Sequence, residues 1–218
     1  MTGATALYRG VESADGVPLT LAPRLRSPLR TYAAEEGADG QLMVRVCAGD
    51  AAAFEQIVDR YKDPLVGYLA RMTSCRDRAE EYAQETFLRL YQNAHRYRER
   101  GQLSAYLFRI ATNLLRSDER RRRRFRLLEA WLPKADRAPG PSAQGLALHR
   151  EATEVVSAAI HDLPTVFRAP LVLREIEGWS YSEIAQALGC RVGTVKSRIN
   201  RAKARLREAL EPYWNGAA

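Results

Sequence analysis

Little in this sequence could build a metal or redox centre: 218 residues hold three cysteines and three histidines. Cys47, Cys75 and Cys190 form no CxxC pair, and His95, His149 and His161 stand in no ligand-like register with them. The thiols read as reduced and incidental, and no metal or other cofactor is expected. No metal-ligating acidic cluster and no nucleophile paired with a base can be picked out, so no catalytic residue is assigned and the protein is not expected to be an enzyme. Long apolar runs are also missing. None approaches the ~20 residues needed to cross a bilayer, and no early basic-then-apolar stretch resembles a signal peptide. A cytoplasmic protein without membrane insertion is the expectation. Strand-like alternation of useful length is absent as well, which leaves an all-α chain.

What is present is enough apolar residue, 46%, to bury real cores, at a length that suggests one or two domains. The net charge is +8 and the pI about 9.7, pointing to a polyanion, although net charge alone separates neither nucleic acid from membrane surface nor either from solubility. Distribution says more. Residues 95–126 hold eleven Lys/Arg against three Asp/Glu, residues 191–211 hold seven against two, and the remainder is left at −5. Two basic blocks in a mildly acidic chain imply two contact surfaces.

Residues 1–38, with Pro18, Pro23, Pro28 and little periodicity, read as an irregular extension. From Asp39 the pattern is helical. Asp50 can cap a helix carrying Phe54, Ile57, Val58 and Tyr61, and Asp63-Pro64 is expected to restart the chain. Asp77 with Glu80 gives a capping-box-like start to a helix lined by Ala83, Phe87, Leu90 and Tyr91. Ser104 can cap a further helix whose Leu107, Ile110, Ala111 and Leu114 point inward and which runs into an arginine cluster. Residues 127–150 collect prolines and glycines, linker chemistry that fully extended spans roughly 80 Å. A second helical domain follows over residues 151–213, with Leu163-Pro164 opening a helix that Pro170 should kink.

The segment GTVKSRINRAKARLR, residues 193–207, has six Lys/Arg and no acid. At 100° per residue Val195, Ile199, Ala202, Leu206 and Leu210 form one apolar stripe, so that side faces a core. The opposite arc offers Gly193, Thr194, Ser197, Asn200, Arg201 and Ala204, with longer basic residues along both edges. Small outward residues allow close approach to a groove, and basic flanks reach the phosphates beside it. Upstream, Ser180 and Glu183 form a capping box, Ile184, Ala185 and Leu188 face inward, and Gly189 ends a short helix three residues before the basic one. Helix, tight turn, helix is helix-turn-helix architecture.

Residues 163–208 resemble the promoter-binding domain of extracytoplasmic-function (ECF) sigma factors of bacterial RNA polymerase, in SYSEIAQALG followed by GTVKSRINRAKARLRE. AEEYAQETFLRLYQN, residues 79–93, resembles the family's polymerase-binding helix, and AYLFRIATNLLRSDERRRRR, residues 105–124, its promoter-melting helix. The likeness covers about residues 40–210, in family order. Arg78 stands where the family often has Asp, Tyr82 where it usually has Leu, Leu103 where Phe is frequent, and Tyr106 in the common Trp position.

The resemblance implies two helical domains, residues 39–126 (region 2-like) and 151–213 (region 4-like), the second a helix-turn-helix, joined by a flexible linker over 127–150. It implies core RNA polymerase as a partner for Glu81, Gln84, Glu85, Phe87, Leu88 and Tyr91. Promoter DNA near −35 would meet Arg191, Thr194, Lys196, Ser197, Arg198, Arg201, Lys203 and Arg205. The melted −10 nontemplate strand would meet Tyr97, Tyr106, Asn113, Arg116, Arg120, Arg121, Arg123 and Arg124. An anti-sigma factor is usual in the family. The alternative from the residues themselves is a two-domain helix-turn-helix regulator that binds duplex DNA without being a polymerase subunit.

Overall fold

The computed structural model describes residues 8–9, 20–21, 36–97, 103–129 and 148–215. Most of the expected extension over 1–38 and of the expected linker over 127–150 lies outside these residues. The strand pairing among them is a two-residue antiparallel contact of β1 (Tyr8–Arg9) with β2 (Thr20–Leu21). Everything else regular is helical, in eight α-helices and one 3-10 turn among the described residues.

The first helix, α1 (Glu36–Cys47), leads into α2 (Ala51–Thr73). Asp50 caps α2 as expected: its carboxylate accepts from the Ala53 N–H at 3.1 Å and from Arg45 at 2.9 Å, and the Arg45 bond holds its pKa below the usual carboxylate range. The expected restart at Pro64 does not occur. The helix continues through Pro64, which is buried beside Tyr61, Leu65 and Tyr68. Core packing on that turn outweighs the roughly 3 kcal/mol that an interior proline costs.

Next, α3 (Arg76–Gln92) starts ahead of the expected position, with Cys75 at its N-cap making no side-chain cap bond and Asp77 inside its first turn. A carboxylate there still faces the positive end of the helix dipole. A 3-10 turn (Ala94–Arg96) follows, and then α4 (Leu103–Glu129), whose first turn includes Ser104. Ile57, Leu65 and Leu69 of α2, Ala79 and Leu90 of α3, and Leu107, Phe108 and Ala111 of α4 are all at 0% exposure and form the core of this bundle.

After the linker come α5 (Leu148–Asp162), α6 (Thr165–Glu175), α7 (Tyr181–Leu188) and α8 (Val192–Asn215). Pro164 opens α6 as expected, and helix persists across Pro170, again a buried proline in a packed turn. Val172, Leu173, Ile184, Ala187, Val195 and Ala202 close the second core.

The two bundles touch. Phe108 lies 5.0 Å from Tyr68 on its own side and 5.0 Å from Trp179 on the other. Arg71 pairs with the buried Glu177 at 2.9 Å. The buried Arg168 guanidinium donates to the Leu163 carbonyl at 2.8 Å and to the Met72 carbonyl at the end of α2. Burial lowers the pKa of Arg168 and pushes Tyr68, hydrogen-bonded to Thr112 at 2.9 Å, up to about 12. α4 packs along α7, so the arginine-bearing helix of one bundle lies on the first helix of the other's helix-turn-helix.

Candidate nucleic-acid interface

Both halves of the capping box at α7 are made: the Ser180 hydroxyl accepts from the Glu183 N–H at 3.2 Å, and the Glu183 carboxylate accepts from the Ser180 N–H at 2.6 Å. Gly189 takes φ 60°, and the Cys190 N–H reaches back to the Ala185 carbonyl at 2.9 Å. The left-handed residue stops α7 and turns the chain within three residues into α8. Val195, Ile199, Ala202, Leu206 and Leu210 are all buried, so the expected apolar stripe is the seam that seats α8.

Of the expected −35 contacts, Arg191, Lys196, Ser197, Arg201 and Arg205 are exposed along the outer arc and its edges, as are Gly193, Asn200 and Ala204. Thr194 is half-buried at the first turn. Lys196 rests over the Tyr181 ring at 5.6 Å and Arg205 over Phe167 at 4.8 Å, contacts that steady the two flanks. Lys203 is placed differently, half-buried and paired with Glu175 at 3.1 Å, so much of its charge is neutralised within the protein. Arg198 is half-buried with Nη1 lacking a hydrogen-bond partner.

In the −10 set, Tyr97 and Tyr106 meet at a ring distance of 5.4 Å and a tilt of 59°, on either side of the loop that begins the basic block. Residues 98–102 of that loop lie outside the described residues. Asn113, Arg120, Arg121, Arg123 and Arg124 are exposed. Arg116 is half-buried, with Nε and Nη2 unpartnered, and its pKa is lowered by burial first and by the charge of Arg198 next. Two sets that the sequence separates by some eighty residues therefore approach each other at Arg116 and Arg198.

For the polymerase set, Glu81, Gln84, Leu88 and Tyr91 share an exposed face of α3, with Leu88 at 49% and Tyr91 at 48%. Glu85 is half-exposed and paired with Arg89 at 2.7 Å. Phe87 is turned inward at 7% exposure. It anchors the helix to the core and is not available as a contact, because the helical period that exposes Leu88 and Tyr91 buries the residue between them and Ala83.

Sequence reasoning missed Asp118, whose carboxylate accepts from Arg78 and Tyr82 and pairs with Arg122. The one local signal for it was its i,i+4 spacing from Arg122; nothing within one helix announces Arg78 or Tyr82 as partners. Among the described residues no group of three or more His, Cys, Asp or Glu could hold a metal ion, and no helix is long and apolar enough to cross a membrane.

A capped helix, a glycine turn and a basic helix with a small-residue outer arc define a protein that reads duplex DNA through a helix-turn-helix. Comparison with known proteins carries this further. Residues 57–125 match the family model for sigma-70 region 2, and residues 153–206 match that for sigma-70 region 4. The chain is 36% identical over 175 residues to the ECF RNA polymerase sigma factor SigE of Mycolicibacterium smegmatis, covering 78% of this chain and 67% of that one. It is 32% identical over 187 residues to the ECF RNA polymerase sigma-E factor of Haemophilus influenzae, covering 82% and 98% respectively. Its fold is similar to that of the sigma factor RpoE from Bartonella quintana, solved in complex with the anti-sigma factor NepR. The TM-score there is 0.55 and the identity 27%, over 72% of this chain and 96% of that one. The chain belongs to the ECF sigma factors of the sigma-70 family.

Proposed function

We propose that this ECF sigma factor works in two parts, residues 39–126 gripping core RNA polymerase and opening the −10 element, and residues 151–213 reading the −35 element, with residues 127–150 as the link. As a transcription initiation factor it binds the polymerase core and directs it to specific promoters. It does so in the cytoplasm, at the nucleoid when bound to polymerase, and it breaks no covalent bond. The observation that carries this reading is the acid-free outer arc of α8 over residues 193–207, held outward by a buried stripe, in one chain with the exposed Leu88 and Tyr91 face of α3.

Each part has a physical task. Glu81, Gln84, Leu88 and Tyr91 offer polymerase a mixed polar and apolar face, with Phe87 anchoring it from inside. Arg191, Ser197, Arg198 and Arg201 meet the major groove, where one good base contact is worth about 1–3 kcal/mol of discrimination. Tyr97 and Tyr106 supply rings against which an extruded base can stack, worth about 1–3 kcal/mol per base and enough to offset the few kcal/mol of flipping. Arg120, Arg121, Arg123 and Arg124 hold phosphates. A protein inhibitor is the expected regulator, since the Bartonella quintana relative was solved with an anti-sigma factor.

The test is reconstitution of transcription from core polymerase, this protein and promoter fragments. Initiation that depends on the protein is the expected result; DNA binding with no complex on core would instead fit a free-standing helix-turn-helix regulator. Within the interface, Arg198→Ala is expected to weaken binding by about 1–3 kcal/mol and to flatten preference among −35 sequences. Lys203→Ala, already neutralised by Glu175, is expected to cost less and to leave the preference unchanged. Equal losses across all −35 sequences for both variants would overturn the assignment of readout to the outer arc.

A further inference from the structure

The buried part of α4 ends at Leu115, and from residue 116 to residue 125 no side chain is buried. That projecting stretch carries five arginines in a row, 120–124, whose mutual repulsion favours fraying and sideways motion. Apolar packing directs it only through the continuity of α4, and a directional polar contact at its base adds to that. Asp118 Oδ2 accepts from Arg78 Nη2 at 3.1 Å and from the Tyr82 hydroxyl at 2.6 Å, and it forms an ion pair with Arg122 Nε at 2.9 Å.

Arg78 and Tyr82 are also joined to each other. Arg78 Nη2 donates to the Tyr82 hydroxyl at 3.2 Å, and the guanidinium lies 5.8 Å from the centre of the Tyr82 ring. Both belong to α3, the helix that carries Leu88 and Tyr91. The Arg78 and Asp118 side chains are 33% and 30% exposed, so the contact is partly shielded from water. Arg122 carries the tie into the arginine run itself.

We propose that Arg78, Tyr82 and Asp118 are positioning residues that fix the direction of the arginine run relative to the polymerase-binding face of α3. Promoter opening depends on them, while polymerase affinity and −35 reading do not. The inference rests on the sigma role proposed above.

The experiment uses full-length protein, core polymerase and a promoter duplex, with Arg78→Ala, Arg78→Lys, Tyr82→Phe, Asp118→Asn and the Arg78→Ala/Asp118→Asn double variant. Affinity for core and the rate at which nontemplate thymines near −10 become permanganate-reactive are both measured, the second at saturating core. Asp118→Asn is expected to slow opening about tenfold, or ~1.4 kcal/mol, with core affinity held. Tyr82→Phe slows it less, and Arg78→Lys, which keeps a donor, recovers part of what Arg78→Ala loses. The double variant is no slower than Asp118→Asn alone, because both changes break one shared contact.

Unchanged opening in the single variants, losses that multiply in the double, or core affinity that falls in step with opening would each overturn the proposal. A lowered Tm with normal opening would do the same, since it marks a structural role only. Wild-type protein that forms no complex with core overturns the sigma reading itself, and does so before any variant is compared.

Discussion

Single residues in this protein acquire roles from what surrounds them more than from their type. Phe108 is the clearest case: an aromatic on the arginine-bearing helix α4 could serve as a stacking platform, yet it is fully buried between Tyr68 and Trp179. Phe108→Ala is expected to cost about 4 kcal/mol, lowering Tm by roughly 10 °C in a chain of this size. Thermal unfolding measures it directly, and a loss below ~1 kcal/mol would mean the ring is not shared by both cores. The same logic separates what could be read in the sequence from what could not. Stripe residues Val195 and Ile199 were legible because helical period alone decides their side. Lys203 was not, because Glu175, far away in sequence, neutralises it. Nor was Pro64, whose place inside a helix depends on the tertiary packing around it.

At the level of elements, caps and stops follow local chemistry, and those of the helix-turn-helix were legible. Ser180 with Glu183 and the glycine at 189 specify the start and end of α7 without help from the rest of the molecule. Ties between helices are a different matter. Asp118 meets Arg78 forty residues away, and no pattern within one helix announces the pairing.

The junction of α5 with α2 gives an element-scale prediction. His161 faces Arg168, Asp162, Arg78 and the backbone of Thr73, and its pKa is lowered below 6.5, chiefly by burial and next by Arg168. A histidine whose folded pKa is depressed stabilises the protein above its unfolded pKa. That stability is lost as pH falls below about 6.5 and the ring must take up a proton. His161→Gln should therefore reduce the drop in Tm between about pH 7.5 and 5.5. An identical drop in both proteins would show that His161 titrates as it does in the unfolded chain.

For the whole molecule, the contacts between bundles bear on how the chain unfolds. Arg168 ties α6 to the last turn of α2, Glu177 is buried against Arg71, and Phe108 belongs to both cores. A protease site inserted between residues 130 and 147 and cut after purification is expected to leave the two fragments eluting together. Arg168→Met, which removes the carbonyl ties, should weaken that association. Fragments that separate at once in the otherwise unchanged protein would show that the covalent link, and not the contact, keeps the bundles together.

The end of α4 beyond Leu115 has a mechanical meaning as well. At 1.5 Å per residue, the six residue steps from Asp118 to Arg124 make a lever of about 9 Å, and a 10° tilt at the base moves the tip by roughly 1.6 Å. Hydrogen bonds tolerate only about 0.5 Å of spread around their preferred length. Angular error at Asp118 is therefore amplified at Arg124 beyond what a hydrogen bond tolerates, which makes stiffness at the pivot as consequential as charge at the tip.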